Sequence, residues 1–198
     1  MHNPHHPTLD RIMEAAEELL AKTGYGSVSV RDICKITGTN ISTLYYHFGS
    51  KEGLIRHIFK ERLNSLEEFP LWKIDKTDAE QNLHEFIHIV RLNVVKFPYF
   101  ISICMQILTV FSENTFLNFV RQIRNSNVQT LYKIIQKGVD SGKFKAPLDS
   151  KALEMWVTGY VLSLLESQQN TEDTELHQQK KGLEVSLMLE KNLIQSIK

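Results

Sequence analysis

The sequence predicts an all-α protein: an N-terminal three-helix helix-turn-helix domain joined through a fourth helix to a larger helical domain. Three observations lead there. Apolar residues recur three and four apart along most of the 198 residues, and the strict alternation of a half-buried strand is almost absent. The stretch before Pro70 is broken by closely spaced glycines, Gly24, Gly38 and Gly49, whereas the periodic runs after it are longer. The apolar share of 42% is enough for a packed core, with no bias toward a disordered, collagen-like or disulfide-built chain. The expected organisation is a flexible arm (1–7), a helix-turn-helix domain (8–49), a connecting helix (50–69) and a larger helical domain (70–198).

The elements follow in order. MHNPHHP has no periodicity and reads as a loose arm. Ile12, Ala15, Ala16, Leu19 and Leu20 make one apolar stripe from about Thr8 to Thr23. Thr8 suits the N-cap, Asp10, Glu14 and Lys22 complement the helix dipole, and Gly24 suits the left-handed residue after the last turn. A second helix starts at Ser29, which with Asp32 matches the S-x-x-D capping box. Val30, Ile33, Cys34 and Thr37 share its face, and Gly38 stops it. A third runs from its cap Asn40 to about His47 and ends at Gly49. Ser50 caps a fourth, which carries Leu54, Ile55, Ile58, Phe59 and Leu63 and fades near Glu68. After a connection to Asp78, longer helices are expected over about 79–96, 98–111, 113–141, 150–167 and 176–197, with the polar QQNTEDTE (168–175) as a loop.

Composition narrows the function classes. With 23 basic and 23 acidic residues the formal net charge is zero, so any contact with nucleic acid has to come from a local arrangement. Cys34 and Cys104 belong to no CxxC pattern and read as small buried apolar residues of a reduced, cytoplasmic protein. Met1 to Thr8 lacks the apolar core of a signal peptide. The longest apolar stretch, Phe97 to Phe111, is interrupted by Pro98, Ser102, Gln106 and Thr109 and falls short of the roughly 18 unbroken apolar residues of a membrane span, so no membrane partner is expected. No GxGxxG, P-loop or GxSxG is present, and an enzyme is not expected. His84 and His88 have a metal-chelating spacing, but Arg91 on the same flank opposes a cation, so neither metal nor cofactor is expected.

Helices two and three carry the functional signal. A short helix, a tight turn at Gly38 and another short helix fit the helix-turn-helix, in which the first helix braces across the DNA backbone and the second enters the major groove. Leu44 and Phe48, four apart, face inward; Ile41, Ser42, Tyr45 and Tyr46 then face outward, an odd choice for a solvated surface. Against DNA they make sense. Ile41 suits a thymine methyl, Ser42 and Thr43 a base edge or phosphate, and the tyrosine hydroxyls a phosphate oxygen. Lys51 adds a positive charge nearby. On spacing alone, such a pair of helices serves core packing as readily as DNA binding.

The stretch SVRDICKITGTNISTLYYHFGSKEGL resembles the helix-turn-helix of the tetracycline-repressor (TetR) family. The resemblance rests on Val30, Asp32 and Ile33, on Gly38, on Thr43-Leu44-Tyr45 with Phe48, and on Ser50-Lys51-Glu52 followed by Leu54. It extends from about Thr8 to Phe59; beyond that it is one of helical layout, with Gly142-Lys143-Phe144 before a helix as a familiar feature. It implies that Ser29 and Arg31 approach phosphates, that Asn40, Ile41, Ser42, Thr43 and Tyr46 read bases or backbone, and that Tyr45, His47 and Lys51 anchor to phosphates. Thr39 belongs to the same DNA-facing set, although an apolar residue is usual there. Ile41 stands where a basic or polar residue is common, His47 where a tyrosine is common and Gly49 where a proline is frequent.

The implied partners are a double-stranded, palindromic operator, a second copy of the chain and a small-molecule effector. For the homodimer, Leu153, Trp156, Val157, Tyr160, Val161, Leu164 and Leu165 form a wide apolar face with Gly159 allowing close approach. Leu176, Leu183, Leu187, Ile194 and Ile197 do the same on the last helix, and the two helices paired with their symmetry mates would make a four-helix interface. Candidate lining residues for a largely apolar effector are Phe86, Val90, Phe97, Cys104 and Met105, together with Leu108, Phe111, Tyr132, Trp156 and Tyr160; each equally suits a plain helical core. The expected function is a transcriptional regulator, a repressor released from its operator when ligand shifts the fourth helix. The alternatives are a helical small-molecule binding protein with a degenerate DNA module and a regulator whose signal is a protein partner.

Overall fold

A computed structural model describes residues 7–24, 26–66, 78–110, 116–145 and 149–169, and single positions of a C-terminal helical stretch, Glu184, Met188, Lys191, Leu193, Gln195 and Ile197. Among the described residues the fold is all-α, with eight helices: α1 Pro7–Thr23, α2 Val30–Thr37, α3 Ile41–Phe48, α4 Lys51–Leu66, α5 Ala79–Lys96, α6 Pro98–Val110, α7 Leu117–Asp140 and α8 Ser150–Gln169. Eight of the nine expected helices form, with small shifts at their ends, and the ninth, about 176–197, lies outside the described residues except for those single positions. α1 begins at Pro7, so Thr8 lies inside its first turn instead of capping it. Proline at the first helical position loses no bond, because that N–H has no partner within a helix. α8 reaches Gln169, two residues past the expected end.

The helices sort into two compact units. One joins α1 to α4 with α6, and the other joins α5, α7, α8 and the C-terminal stretch. In the first, Ile12, Ala16 and Leu20 lie one turn apart on α1 and are fully buried. Ile33 of α2, Leu44 of α3 and Leu54 of α4 are equally closed to solvent. Each such side chain contributes about 1.5–3 kcal/mol relative to exposure. α6 is fastened here by two contacts: the Gln106 amide donates to the Ala21 carbonyl oxygen at 2.8 Å, and the Phe100 ring meets Phe59 edge-on at 5.0 Å. Arg62 of α4 reaches Glu17 of α1 and closes the unit on its other side.

The second unit packs α5, α7 and α8 against one another. Asp78 caps α5, its carboxylate accepting from the backbone N–H of Glu80 at 2.8 Å and of Gln81 at 3.3 Å. The same carboxylate pairs with Lys143 in the turn after α7. Gly142 takes the left-handed φ of 71° there, and the Phe144 ring packs directly against Gly138 of α7. Lys145 donates its backbone N–H to the Ile197 carbonyl at 2.6 Å, so the same turn holds the C-terminal stretch, whose Leu193 and Ile197 are buried.

Candidate nucleic-acid interface

Local chemistry sets the α2–turn–α3 geometry. Ser29 and Asp32 form the reciprocal capping box: the Asp32 N–H donates to Ser29 Oγ at 3.3 Å, and the Ser29 N–H donates to Asp32 Oδ2 at 2.9 Å. The Ser29 hydroxyl also donates to Oδ2 at 2.5 Å, and these bonds hold the Asp32 carboxyl below the usual carboxylate range. At the far end Gly38 adopts φ 63°, ψ 23°, a conformation that costs a residue with a Cβ about 1–2 kcal/mol. The N–H groups of Gly38 and Thr39 both turn back to the Cys34 carbonyl. Thr37 satisfies its buried hydroxyl on the Ile33 carbonyl at 2.9 Å. Asn40 then caps α3, its Oδ1 accepting from the Ser42 N–H at 2.9 Å.

Helix α3 is anchored from below by Leu44 and Phe48, both buried, and its other faces are open. Tyr46 is 85% exposed and Tyr45 48%. Ser42 and His47 are also exposed, while Ile41 and Thr43 are half-buried. Arg31 is exposed on α2. Lys51 is partly buried in the first turn of α4, and that burial pushes its ammonium below the ordinary lysine value, Glu52 partly offsetting it. An aromatic row links α3 to α4: Tyr46 meets His47 edge-on at 5.0 Å, and Phe48 meets His57 at 5.5 Å. Gly49, between the helices, has φ 72°, a value closed to proline.

Two expected contact residues are already engaged, since the Ser29 hydroxyl and Asn40 Oδ1 serve as caps. Thr39 departs from expectation more plainly. Its Oγ1 is shut from solvent and has no hydrogen-bond partner among the described residues, so it offers no polar atom to a surface.

A family model described as bacterial regulatory proteins, tetR family, matches residues 12–58, from within α1 to the middle of α4. Over this segment the chain is similar to the tetR family. Its helix-turn-helix is similar to that of the HTH-type transcriptional regulator UidR of Escherichia coli strain K12, 46% identical over 52 residues. That match covers 26% of each chain, about a quarter of the relative's length. The HTH-type transcriptional regulator QacR of Staphylococcus aureus strain Mu50 is 24% identical over 68% of this chain and 72% of its own. Among solved structures, the hemolysin II transcriptional regulator HlyIIR shares the fold with a TM-score of 0.68 at 20% identity, over 96% of both chains.

Outside the helix-turn-helix, the expected site residues fall into separate groups. Phe86, Val90, Phe97, Tyr132, Trp156 and Tyr160 share the second unit, whereas Cys104, Met105 and Leu108 lie on α6 in the first. Phe111 is outside the described residues. Both cysteines are buried, and desolvation pushes both thiols up. Of the residues expected at a dimer interface, Leu153, Val157, Val161 and Leu164 are buried within the chain. Their side chains fill its own core, so the outward face of α8 is another one, carrying Met155, Gly159 and Leu162 at helical spacing. Leu183, Leu187 and Ile194 lie outside the described residues. Exposed Met188 lies on the C-terminal stretch.

Sequence reasoning missed the Glu17–Arg62 pair, the Gln106–Ala21 bond and the exposed Ile36. Ile36 borders a groove of about 600 Å³ between α1 and α2, lined also by Leu19, Val28, Asp32 and Lys35.

Proposed function

We propose that the chain is a homodimeric regulator that binds duplex DNA through α3 and leaves it when the second unit takes a small, largely apolar ligand. The observation that carries this reading is the exposure of Tyr45, Tyr46 and Ser42 on a helix pinned from beneath by Leu44 and Phe48. Water is a poor partner for two tyrosine rings one residue apart, while a groove wall gives them apolar surface and phosphate acceptors together. Ile41, Ser42, Thr43 and Tyr46 are the proposed base readers. Arg31, Tyr45, His47 and Lys51 are the proposed phosphate contacts, with Ser29 and Asn40 contributing what their caps leave over.

Of the proposed phosphate contacts, Arg31 and Lys51 are the arginine and lysine side chains that neutralise a phosphate. Each one released by salt changes the logarithm of affinity by a slope of about −0.9 per phosphate, so a shallow salt dependence is expected.

Two copies meeting through Met155, Gly159 and Leu162 of α8 and Met188 of the C-terminal stretch would present two α3 helices to one DNA face. Binding then requires a spacing of roughly 34–36 Å or a multiple. α5 runs into α6 with only Phe97 between them, and α6 is tied to α1 by Gln106 and to α4 by Phe100. A ligand that favours one position of α5 would thereby bias the helix-turn-helix, provided it binds the DNA-incompetent state more tightly.

The test is selection from a random duplex pool at low salt. An enriched palindrome with two half-sites is the expected outcome, and failure to retain any duplex removes the reading.

A further inference from the structure

Helices α1 and α2 pack against each other and leave an open groove of about 600 Å³ between them. Leu19 and Thr23, four apart, line it from α1; Asp32, Lys35 and Ile36, three and four apart, line it from α2, and Val28 belongs to the same lining. Such spacings put each set on one face of its helix, so the side chains converge on one opening. Ile36 is 60% exposed there, an apolar side chain left in water at the rim of an apolar hollow. Asp32 and Lys35, of opposite sign, are exposed beside it. Both bonds that Asp32 accepts from Ser29 end on Oδ2, so Oδ1 remains for another donor.

We propose that this groove docks a second copy of the chain, bound at a neighbouring site on the same DNA. The proposal rests on the DNA-binding reading above and adds a contact between regulators to it. A contact about a two-fold axis uses the same patch on both sides, so the patch must hold both members of each complementary pair. This one does. Ile36 is a knob beside the hollow of Leu19 and Val28, and Lys35 is a cation beside the anion Asp32. Two palindromic sites side by side on a duplex supply such an axis midway between them. The size of the patch makes the contact depend on DNA. A stable interface takes about 20–30 residues a side, far more than line this groove, so free chains would not stay joined through it. On one duplex they meet at an effective concentration on the order of millimolar. α2 also carries Arg31, a proposed phosphate contact, and Ile36 stands five residues beyond it, roughly 7–8 Å along the same helix, which keeps the patch beside the duplex.

The experiment is footprint titration of the full chain on duplexes carrying one or two copies of the operator selected from the random pool, with the spacing between the copies varied base pair by base pair. The second copy is expected to fill about ten-fold more tightly than a single operator, at spacings that recur every turn of about 10–10.5 base pairs. Ile36→Glu would put an unpaired charge into the facing hollow; it should abolish that gain and leave single-operator affinity unchanged. Lys35→Glu would set acid against acid across the contact and should remove most of the gain. Independent filling at every spacing overturns the proposal and leaves the groove to a foreign partner. A gain that survives both substitutions also overturns it, because the coupling then runs through the DNA. Sedimentation of the free chain should give the same mass for the parent and Ile36→Glu; a lower mass for the variant would make the groove the ordinary dimer interface and overturn the DNA-assisted contact. Failure to bind even a single operator would remove the DNA-binding reading and this proposal with it, whereas every other adverse outcome leaves that reading standing.

Discussion

Arg62 holds Glu17 in a fork: its Nε lies 3.0 Å from both carboxylate oxygens and its Nη2 lies 2.6 Å from Oε2. The Glu17 side chain is 5% exposed and that of Arg62 25%. The two residues are 45 positions apart and join α1 to α4, so the pair fixes how the connecting helix leaves the helix-turn-helix. Removing one partner strands a buried charge, which costs about 3–5 kcal/mol, while replacing both with apolar groups is often neutral. Arg62→Met is therefore expected to lower the urea midpoint strongly, and the double variant Glu17→Leu/Arg62→Met to recover most of the loss. Equal loss in both variants would show that shape, not charge pairing, matters there.

Gly138 should tolerate no side chain. A Cβ there would stand 2.0 Å from Cδ2 of the Phe144 ring. Alanine in the last turn of α7 would gain at most about 1 kcal/mol in helix propensity, but overpacking costs about 1–3 kcal/mol, so the clash wins. Gly138→Ala is expected to lower the melting temperature, and Phe144→Leu in the same chain to return part of the loss.

Acid should weaken the α2 cap. Hydrogen bonds from Ser29 hold Asp32 below the ordinary carboxylate range, with burial opposing slightly. A folded pKa below the unfolded one means a contribution fully present above the unfolded pKa and lost as pH falls through the folded one. Asp78, lowered by its bond with Lys143 first and by its two capping bonds, behaves alike. Thermal unfolding followed downward from neutral pH should show a decline that is smaller in Asp32→Asn than in the parent chain. The same slope in both would place the acid sensitivity elsewhere.

The oligomer prediction separates two faces of one helix. Met155 and Leu162 are 67% and 39% exposed, whereas Val157 is buried. Met155→Lys with Leu162→Glu is expected to convert a dimer to a folded monomer in sedimentation equilibrium. Val157→Lys is expected to unfold the second unit instead, since it buries an unpaired charge. A doubly charged face that still dimerises would move the interface off α8.

What could be read from the sequence was what is local. Ser29 with Asp32, Gly38 and Asn40 act within four residues of themselves, so their roles as cap, stop and cap follow from residue type. Periodicity gave α8 a buried stripe but not what it is buried against. Leu153, Val157, Val161 and Leu164 turn into the chain's own core, and the face left outside carries Gly159, an expected interface residue, with Met155 and Leu162, which the apolar stripe leaves out. The grouping of α6 with the helix-turn-helix depends on partners far away in sequence, Gln106 with Ala21 and Phe100 with Phe59. Thr39 is expected in the DNA-facing set although an apolar residue is usual there, and its hydroxyl oxygen is shut from solvent as an apolar group would be.

The central claim, that α3 is the DNA-reading helix, is tested most directly by fluorescence anisotropy of a selected operator titrated with the parent chain, Lys51→Ala and Ser42→Ala over a range of salt. Lys51→Ala should weaken every duplex alike and flatten the salt slope by about one phosphate per site, because it removes a backbone contact. Ser42→Ala should leave the slope unchanged and alter the ranking of operator variants. Operator affinity unaffected by either substitution would contradict the account.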